Sequence, residues 1–196
     1  MKIIGITGGV GSGKSRVLEI LRDEYHAYTL EADKAAHALM RQGGAVYQSI
    51  VDAFGSEILA PDGEIDRKIL GGIVFASKER LSILNNITHP AVRTHILTKI
   101  DAYRRKEPDG IFALEAALLI EEGYGDICDE LWYIYVDEDT RMKRLIEGRG
   151  YTEEKCLSIF ASQSGEDYYR MHCKYIIDNC GDMEKTKIQI DNLLKN

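Results

Sequence analysis

Short apolar runs alternate with longer amphipathic stretches along most of this chain. The apolar runs predict strands over residues 2–7, 27–30, 111–114, 131–136 and 175–177. Apolar positions at helical spacing predict helices between them, near residues 14–23, 139–147, 152–163 and 182–195. Mostly apolar strands that are separated by helices are typical of a parallel sheet covered on both faces. The pattern therefore predicts an α/β sandwich with three layers and a five-stranded parallel sheet.

Residues 34–106 contain no convincing strand. Helical periodicity runs over residues 34–55, with a break at Gly43-Gly44, and resumes near Asp66 and Lys78. Pro90 interrupts the periodicity, and we expect a new helix to start there, with an apolar stripe at Val92, Ile96, Ile100 and Tyr103. We expect a single domain over residues 1–196, with a helical insertion of about 34–106 over the strand ends, where such sheets bind ligands.

Composition narrows the classes of function. Hydrophobic residues make up 44% of the 196 positions, which is enough for a sizeable core, and the formal net charge is −7. That charge argues against a nucleic-acid partner, and no apolar run approaches the ~18 residues of a membrane span. The four cysteines form no C-x-x-C pair. We therefore expect reduced thiols rather than a metal site, in a cytoplasmic protein. Separately, we expect a monomer or a weak homo-oligomer.

A glycine-rich segment follows the first predicted strand. Residues 8–15, GGVGSGKS, fit the phosphate-binding pattern G-x-x-x-x-G-K-[ST] and lead into a predicted helix. Glycines let successive backbone N–H groups point at one anion, and the helix adds its N-terminal N–H groups and its dipole. Lys14 then reaches the β- and γ-phosphates, and the Ser15 hydroxyl binds Mg²⁺. The strand-loop-helix context predicts a P-loop NTPase fold that binds ATP.

A P-loop predicts a nucleotide but not a reaction. The N-K-x-D motif with which GTPases read guanine is absent. Glu115 follows the strand 111–114, which is a weak form of the acidic strand end of motor and transport ATPases. A short chain with a helical insertion instead favours a small-molecule kinase, in which the insertion holds the phosphate acceptor.

The remaining landmarks resemble one family, dephospho-CoA kinase, over nearly the whole chain. Similar to that family, in order, are "TGGVGSGKS", "EADKAAH", "FGSEILAPDGEIDRKILGGIVFAS", "LNNITHPAV", "ALLIE", "RLIEGRG" and "YIIDNCG". Each of these beyond the P-loop is weak alone, but their order and spacing together are specific. The resemblance implies transfer of the ATP γ-phosphate to the ribose 3′-hydroxyl of dephospho-CoA, with Mg²⁺.

The same resemblance implies a role for particular residues. Asp33 is the implied catalytic base, and Lys14 is implied to act on the transferred phosphate. Arg144 and Arg149, within a lid of about residues 141–165, are also implied catalytic residues that close over ATP, one stacking on adenine and one neutralising phosphate. The implied ATP-binding residues are Gly9, Gly11, Ser12, Gly13, Lys14, Ser15, Arg16, Arg144, Asn179 and Gly181. The implied acceptor-binding residues are Asp33, Arg67, His89, Leu119 and Glu121.

Structural roles remain open for several of these residues. We expect Asp33 at the end of a strand beside the P-loop strand, where it is also a candidate N-cap for a helix from Lys34. Arg67 is equally able to pair with Asp66 or Glu64, and His89 to cap a helix. Turn formation alone explains Asn179 and Gly181.

Some positions depart from the family pattern. They are Arg16, Glu31, Ala117, Arg141 and Cys173-Lys174, and Arg141 stands where a glutamine is common. These departures keep two other hypotheses open: a kinase of another nucleoside or nucleotide, and a nucleotide-binding regulator without turnover.

Overall fold

The computed structural model describes residues 1–195 and divides them into two compact units. The first unit comprises residues 1–30 and 106–195, and the second comprises Glu31–Arg105. The strands are β1 (Lys2–Thr7), β2 (Tyr28–Glu31), β3 (Ile111–Glu115), β4 (Glu130–Tyr135) and β5 (Tyr175–Asp178). The helices are α1 (Lys14–Tyr25), α2 (Ala32–Leu39), α3 (Tyr47–Phe54), α4 (Arg67–Phe75), α5 (Lys78–Lys106), α6 (Glu138–Arg149), α7 (Glu153–Ala161), α8 (Glu166–His172) and α9 (Met183–Leu194).

The five strands form one sheet in the order β2-β3-β1-β4-β5. β1 pairs in parallel with both β3 and β4, and β4 pairs in parallel with β5. The five-stranded parallel sheet with helices is confirmed, and the predicted strands differ from those found by only a few residues. One adjacency was wrong, because β3 lies between β2 and the P-loop strand β1. Glu115, at the end of β3, is therefore the acid on the strand beside the P-loop strand.

The core of the first unit lies on one face of the sheet. Alternate residues of β1 and β4, among them Ile4, Ile6, Trp132 and Ile134, are fully buried and pack with α1 and α9. On the other face, Tyr133 stacks on Tyr169 of α8, with 4.7 Å between ring centroids. The period-2 alternation of the strands thus supplies apolar side chains to both faces. The sequence pattern did not predict α8.

The second unit is built from helices apart from one isolated bridge, Leu59 to Ile65. Its core comprises Val46, Ile50, Phe54, Ile58, Ile65, Leu70 and Val74. The Asp66 carboxylate caps α4, because it accepts hydrogen bonds from the N–H groups of Lys68 and Ile69 at 2.8 and 3.2 Å.

The helix predicted to start at Pro90 does not start there. α5 runs without a break from Lys78 to Lys106, with Pro90 inside it. An internal proline costs a helix about 3 kcal/mol through a lost hydrogen bond and a steric clash. The burial of Val92, Ile96 and Ile100, the predicted stripe, offsets that cost, and the Thr94 hydroxyl donates to the Pro90 carbonyl at 2.8 Å. His89 consequently lies within a helix and is not a cap.

Candidate active site

The segment between β1 and α1 has the backbone of a phosphate-binding loop. Gly8, Gly11 and Gly13 have φ angles of 144°, 86° and 85°, which other residues rarely adopt. A Cβ on Gly8 would come within 2.6 Å of the Ile134 carbonyl oxygen, and one on Gly13 within 2.4 Å of Asn179 Nδ2. Glycine is therefore required for both conformation and space. Within residues 1–195, no side chain caps the N-terminus of α1 and no acid lies in its first turn, so the end of the helix stays suited to an anion.

The Lys14 ammonium lies inside the loop. It donates to the Gly8 carbonyl at 2.8 Å and to the Gly9 carbonyl at 3.4 Å, and it lies 3.6 Å from a Glu115 carboxylate oxygen. Both side chains are only 11% exposed. Their charges therefore interact with little screening by solvent. We had not assigned Glu115 to the site, although the acid at an apolar strand end was the signal that pointed to it.

Two hydroxyls at the loop have unmet hydrogen-bonding capacity. Thr7 and Ser12 are 0% and 1% exposed, and neither hydroxyl oxygen has a hydrogen-bond partner among the described residues. Buried polar groups without partners are rare and need an explanation. A polar ligand at the loop would satisfy the Ser12 hydroxyl, which agrees with its prediction as an ATP-binding residue.

The residues near α1 fit Mg²⁺ carried by a nucleotide better than a resident metal. Ser15 is exposed in the first turn of α1, where its hydroxyl is a suitable oxygen ligand. Across the described chain, no group of three or more His, Cys, Asp or Glu side chains is arranged to hold a metal ion. Mg²⁺ commonly binds through few protein ligands together with substrate phosphates and water.

Asn179 fastens the loop from the end of β5. It is 2% exposed, its Nδ2 donates to the Ser12 carbonyl at 2.8 Å, and its Oδ1 accepts from the Thr186 hydroxyl at 2.8 Å. Its own carbonyl accepts from Arg144 Nη2 at 2.8 Å. Asn179 therefore does more than form a turn, because it joins the P-loop, α9 and Arg144. Gly181 is exposed beside a cavity of about 270 Å³ lined also by Asp178, Lys185 and Gln189.

The other predicted basic residues of this unit are exposed. Arg149 is the last residue of α6 and precedes Gly150, whose left-handed φ of 64° ends the helix. Arg16 forms an ion pair with Glu19 at 2.6 Å on the surface of α1.

Asp33 lies in the first turn of α2, directly after β2. The N-cap position is Glu31, so the alternative of Asp33 as an N-cap for a helix from Lys34 was wrong. The carboxylate is exposed, and its charge raises the pKa of His37 one turn on. Burial and the charge of Arg67 act more strongly in the opposite direction, so the pKa of His37 lies below its usual value.

A basic cavity lies within the helical unit. It has a volume of about 420 Å³ and is lined by His37, Met40, Arg41, Glu64, Ile65 and Arg67. Arg67, a predicted acceptor-binding residue, is exposed there at the start of α4. Two guanidinium groups make this cavity suitable for an anionic part of a ligand. His89 is half-buried in α5 and does not line this cavity.

The segment after β3 contains the last two predicted acceptor residues. Leu119 is fully buried, and a Cβ on Gly5 of β1 would come within 3.2 Å of it. The Leu119 side chain therefore belongs to the core, and the assignment of Leu119 to acceptor binding stays a prediction. Glu121 is exposed and accepts a hydrogen bond from the Ser164 hydroxyl at 2.7 Å.

A parallel sheet in which a glycine loop, an uncapped helix N-terminus and a buried lysine converge defines a P-loop nucleotide-binding protein with the fold of small-molecule kinases. The family model described as Dephospho-CoA kinase matches residues 2–185. The chain belongs to the dephospho-CoA kinase family.

Relatives and a solved structure agree with this assignment. The chain is 39% identical over 191 residues to the dephospho-CoA kinase of Symbiobacterium thermophilum, covering 97% of this chain and 79% of that protein. It is 38% identical over 195 residues to that of Carboxydothermus hydrogenoformans, covering 100% of this chain and 94% of the relative. The solved dephospho-CoA kinase of Campylobacter jejuni is similar with a TM-score of 0.73 and 28% identity, covering 100% of this chain and 96% of that one. In residues 1–195, no helix is both long and apolar enough to span a membrane.

Proposed function

We propose that this chain is an ATP-dependent kinase that phosphorylates the ribose 3′-hydroxyl of dephospho-CoA to give coenzyme A. The observation that carries the proposal is the Lys14 ammonium, held within 2.8 Å of the Gly8 carbonyl inside a P-loop, in a chain that belongs to this family. The four cysteines are free thiols, which agrees with a reducing cytoplasmic setting. We expect a monomer or a weak homo-oligomer.

Phosphoryl transfer depends mainly on positioning and on stabilisation of charge. In the proposed reaction, the loop N–H groups and the α1 N-terminus hold the ATP phosphates. Lys14 neutralises charge that develops on the γ-phosphoryl oxygens, and the Glu115 carboxylate, 3.6 Å away, orients the ammonium. Mg²⁺ would be held by the Ser15 hydroxyl and the phosphates, and it supplies further charge neutralisation when bound.

Asp33 is the proposed base. The ribose 3′-oxygen forms a bond to the γ-phosphorus while the bond from that phosphorus to the ADP oxygen breaks, and the hydroxyl proton passes to the Asp33 carboxylate. Asp33 is exposed in the first turn of α2, directly after β2, so its carboxylate is accessible to a substrate hydroxyl. We propose that Arg67, His89 and Glu121 bind the acceptor.

The remaining predicted residues act on ATP. Arg144 and Arg149 lie on α6 within the proposed lid of about residues 141–165. Arg144 reaches the Asn179 carbonyl, so Asn179 supports both the loop and this arginine. We propose that Arg149, at the exposed end of α6, contributes charge to the phosphates, and that Gly181 and Arg16 contact the nucleotide.

A direct assay tests the function. Purified protein is incubated with Mg-ATP and dephospho-CoA, or with a panel of nucleosides and nucleotides, and products are identified by mass spectrometry. Turnover of dephospho-CoA alone supports the proposal. Turnover of another acceptor instead would identify a different kinase, and tight ATP binding without any product would indicate a regulator. Removal of Mg²⁺ with EDTA should abolish turnover.

Two variants test the proposed roles. Asp33→Asn should keep the affinity for ATP and lower kcat by about 10²–10⁴-fold, the range for general base catalysis. Asp52→Asn, an exposed aspartate of α3 in the same helical unit, is the matched control and should leave kcat unchanged. A near-normal kcat for Asp33→Asn would contradict the base assignment. Lys14→Ala should lower kcat strongly as well.

A further inference from the structure

The backbone of Val10, within the P-loop, is held at both its N–H and its carbonyl group, so two successive peptide units are bound. Its N–H donates to Gln163 Oε1 at 3.2 Å, and its carbonyl accepts from Arg141 Nε at 3.0 Å. Arg141 Nη2 also donates to the same Gln163 oxygen at 2.6 Å. Three residues that lie far apart in sequence thus form a closed set of hydrogen bonds.

Packing fixes the Arg141 guanidinium in this position. Its central carbon lies 4.2 Å from the centre of the Phe160 ring, at a distance typical of a cation–π contact. On the loop side, a Cβ on Gly9 would come within 2.4 Å of Arg141 Nη2. The guanidinium therefore lies directly against the loop backbone, in space that exists because residue 9 is glycine. Burial lowers the pKa of Arg141 from its usual value, although that value is so high that the group stays charged.

We propose that Arg141 and Gln163 are positioning residues that set the orientation of the two peptide units flanking Val10 and so pre-organise the P-loop for the ATP phosphates. The Val10 carbonyl, held by Arg141, shares a peptide plane with the Gly11 N–H, so this contact sets where that N–H points at the start of the loop segment 11–14. Donors held in place before binding need no reorganisation when the nucleotide arrives. The inference rests on the proposed function only in that the ligand is ATP.

Only a planar guanidinium group, whose N–H donors have fixed relative positions, can make both contacts of Arg141 at once. The Nε and Nη2 atoms of one guanidinium donate to the Val10 carbonyl and to Gln163 at the same time. A lysine keeps the charge but lacks the second fixed donor. Because Gln163 follows α7 and Arg141 lies on α6, the pair also joins the proposed lid segment to the loop.

The test measures binding of a non-hydrolysable ATP analogue with Mg²⁺ by calorimetry, together with KM for each substrate. Arg141→Ala should raise the Kd for the analogue and KM for ATP by about tenfold, equivalent to about 1.4 kcal/mol. KM for dephospho-CoA should stay unchanged. Arg141→Lys should recover only part of the loss. Lys143→Ala, which removes an exposed cation from the same helix, is the control and should bind as the unsubstituted chain does.

Chemical rescue separates positioning from a merely structural role. Methylguanidinium chloride should restore analogue binding to Arg141→Ala, whereas methylammonium chloride at the same concentration should not. Gln163→Met keeps the side-chain volume but removes the amide, so it should also raise the Kd for the analogue. This variant replaces Arg141→Ala in the test if Arg141→Ala folds poorly.

Two results would overturn the inference: unchanged analogue affinity in Arg141→Ala, or an equal loss in Lys143→Ala. Binding of the analogue needs no turnover. If the chain does not phosphorylate dephospho-CoA, the proposed function is refuted, but the effect of Arg141→Ala on analogue affinity can still be measured and interpreted.

Discussion

Replacement of Asn179 by alanine should weaken both the fold of the sheet-containing unit and its affinity for ATP. The side chain is 2% exposed and makes two hydrogen bonds of 2.8 Å, one to the Ser12 carbonyl and one from the Thr186 hydroxyl. Alanine has no group that can replace either bond. The Ser12 carbonyl and the fully buried Thr186 hydroxyl would both lose a partner.

The structure sets the size of the effect. A buried polar group left without a partner costs about 1–3 kcal/mol, so two such groups give a loss of about 2–6 kcal/mol in the free energy of unfolding. For a chain of this length, at about 2–4 °C per kcal/mol, that corresponds to a fall in Tm of roughly 4–24 °C. The P-loop would also lose a fixed point at Ser12, so we expect Kd for Mg-ATP to rise several-fold.

Fluorescence of the single tryptophan gives a suitable assay. Trp132 is fully buried in β4, in the same unit as Asn179, and so reports the unfolding of that unit. Urea titration of the Asn179→Ala variant should show a lower midpoint with an unchanged slope. Lys143→Ala, which removes an exposed side chain of α6 in the same unit, should change the free energy of unfolding by no more than about 0.5 kcal/mol.

A double-mutant cycle tests the reasoning further. Thr186→Val removes one partner of the Asn179 carboxamide, so the double variant should lose less stability than the sum of the two single variants. Unchanged stability and unchanged ATP affinity in Asn179→Ala, or strict additivity with Thr186→Val, would refute the argument.

Three further predictions follow from the site and its surroundings. Gly13→Ala should weaken ATP binding more than tenfold, because its φ is 85° and the new Cβ would meet the Asn179 carboxamide nitrogen at 2.4 Å. Gly148→Ala has open space around it and should instead stabilise the chain by about 0.5–1 kcal/mol. Equal effects of the two substitutions in calorimetry and urea titration would contradict this. Glu115→Gln should lower kcat about tenfold or more, with little change in Tm, because the P-loop lysine loses its counter-charge; an unchanged kcat in the product assay would oppose that role. Burial raises the pKa of Cys128 and of Cys173 to about 12, so both thiols should resist iodoacetamide at pH 8 in the folded protein. Because these pKa values are higher in the folded than in the unfolded chain, the free energy of unfolding should fall as the pH rises from about 9 towards 12. Rapid labelling of either thiol, detected by mass spectrometry, would count against this prediction.

Local physics explains why much of the site was predictable. The sequence from Gly8 to Ser15 constrains its own backbone, because the positive φ angles at positions 8, 11 and 13 require glycine wherever the segment lies in the fold. The five strands followed from runs of apolar residues, and their bounds shifted by only a few positions. The family landmarks supplied Asp33 and Arg144, for which spacing alone left alternatives open.

Contacts between distant segments account for what was not predicted. The sequence shows Pro90 and the apolar stripe that follows it, but not that α5 continues through the proline from Lys78 to Lys106. The sequence likewise does not reveal that β3 separates β2 from β1, which puts Glu115 rather than Asp33 on the neighbouring strand.

The sequence by itself determined that a phosphate-binding loop follows the first strand, because glycine conformation and helix N-termini act over a few residues. Only the tertiary structure decided what holds that loop in place. Arg141 and Gln163 reach Val10 across 131 and 153 positions of the chain, and Asn179 reaches Ser12 across 167. Such pairings depend on strand order and on the packing of α6, α7 and β5 around the loop. No local pattern encodes them, because each pair joins a polar side chain to a backbone group that has no distinctive sequence signal until the fold brings the two within hydrogen-bonding distance.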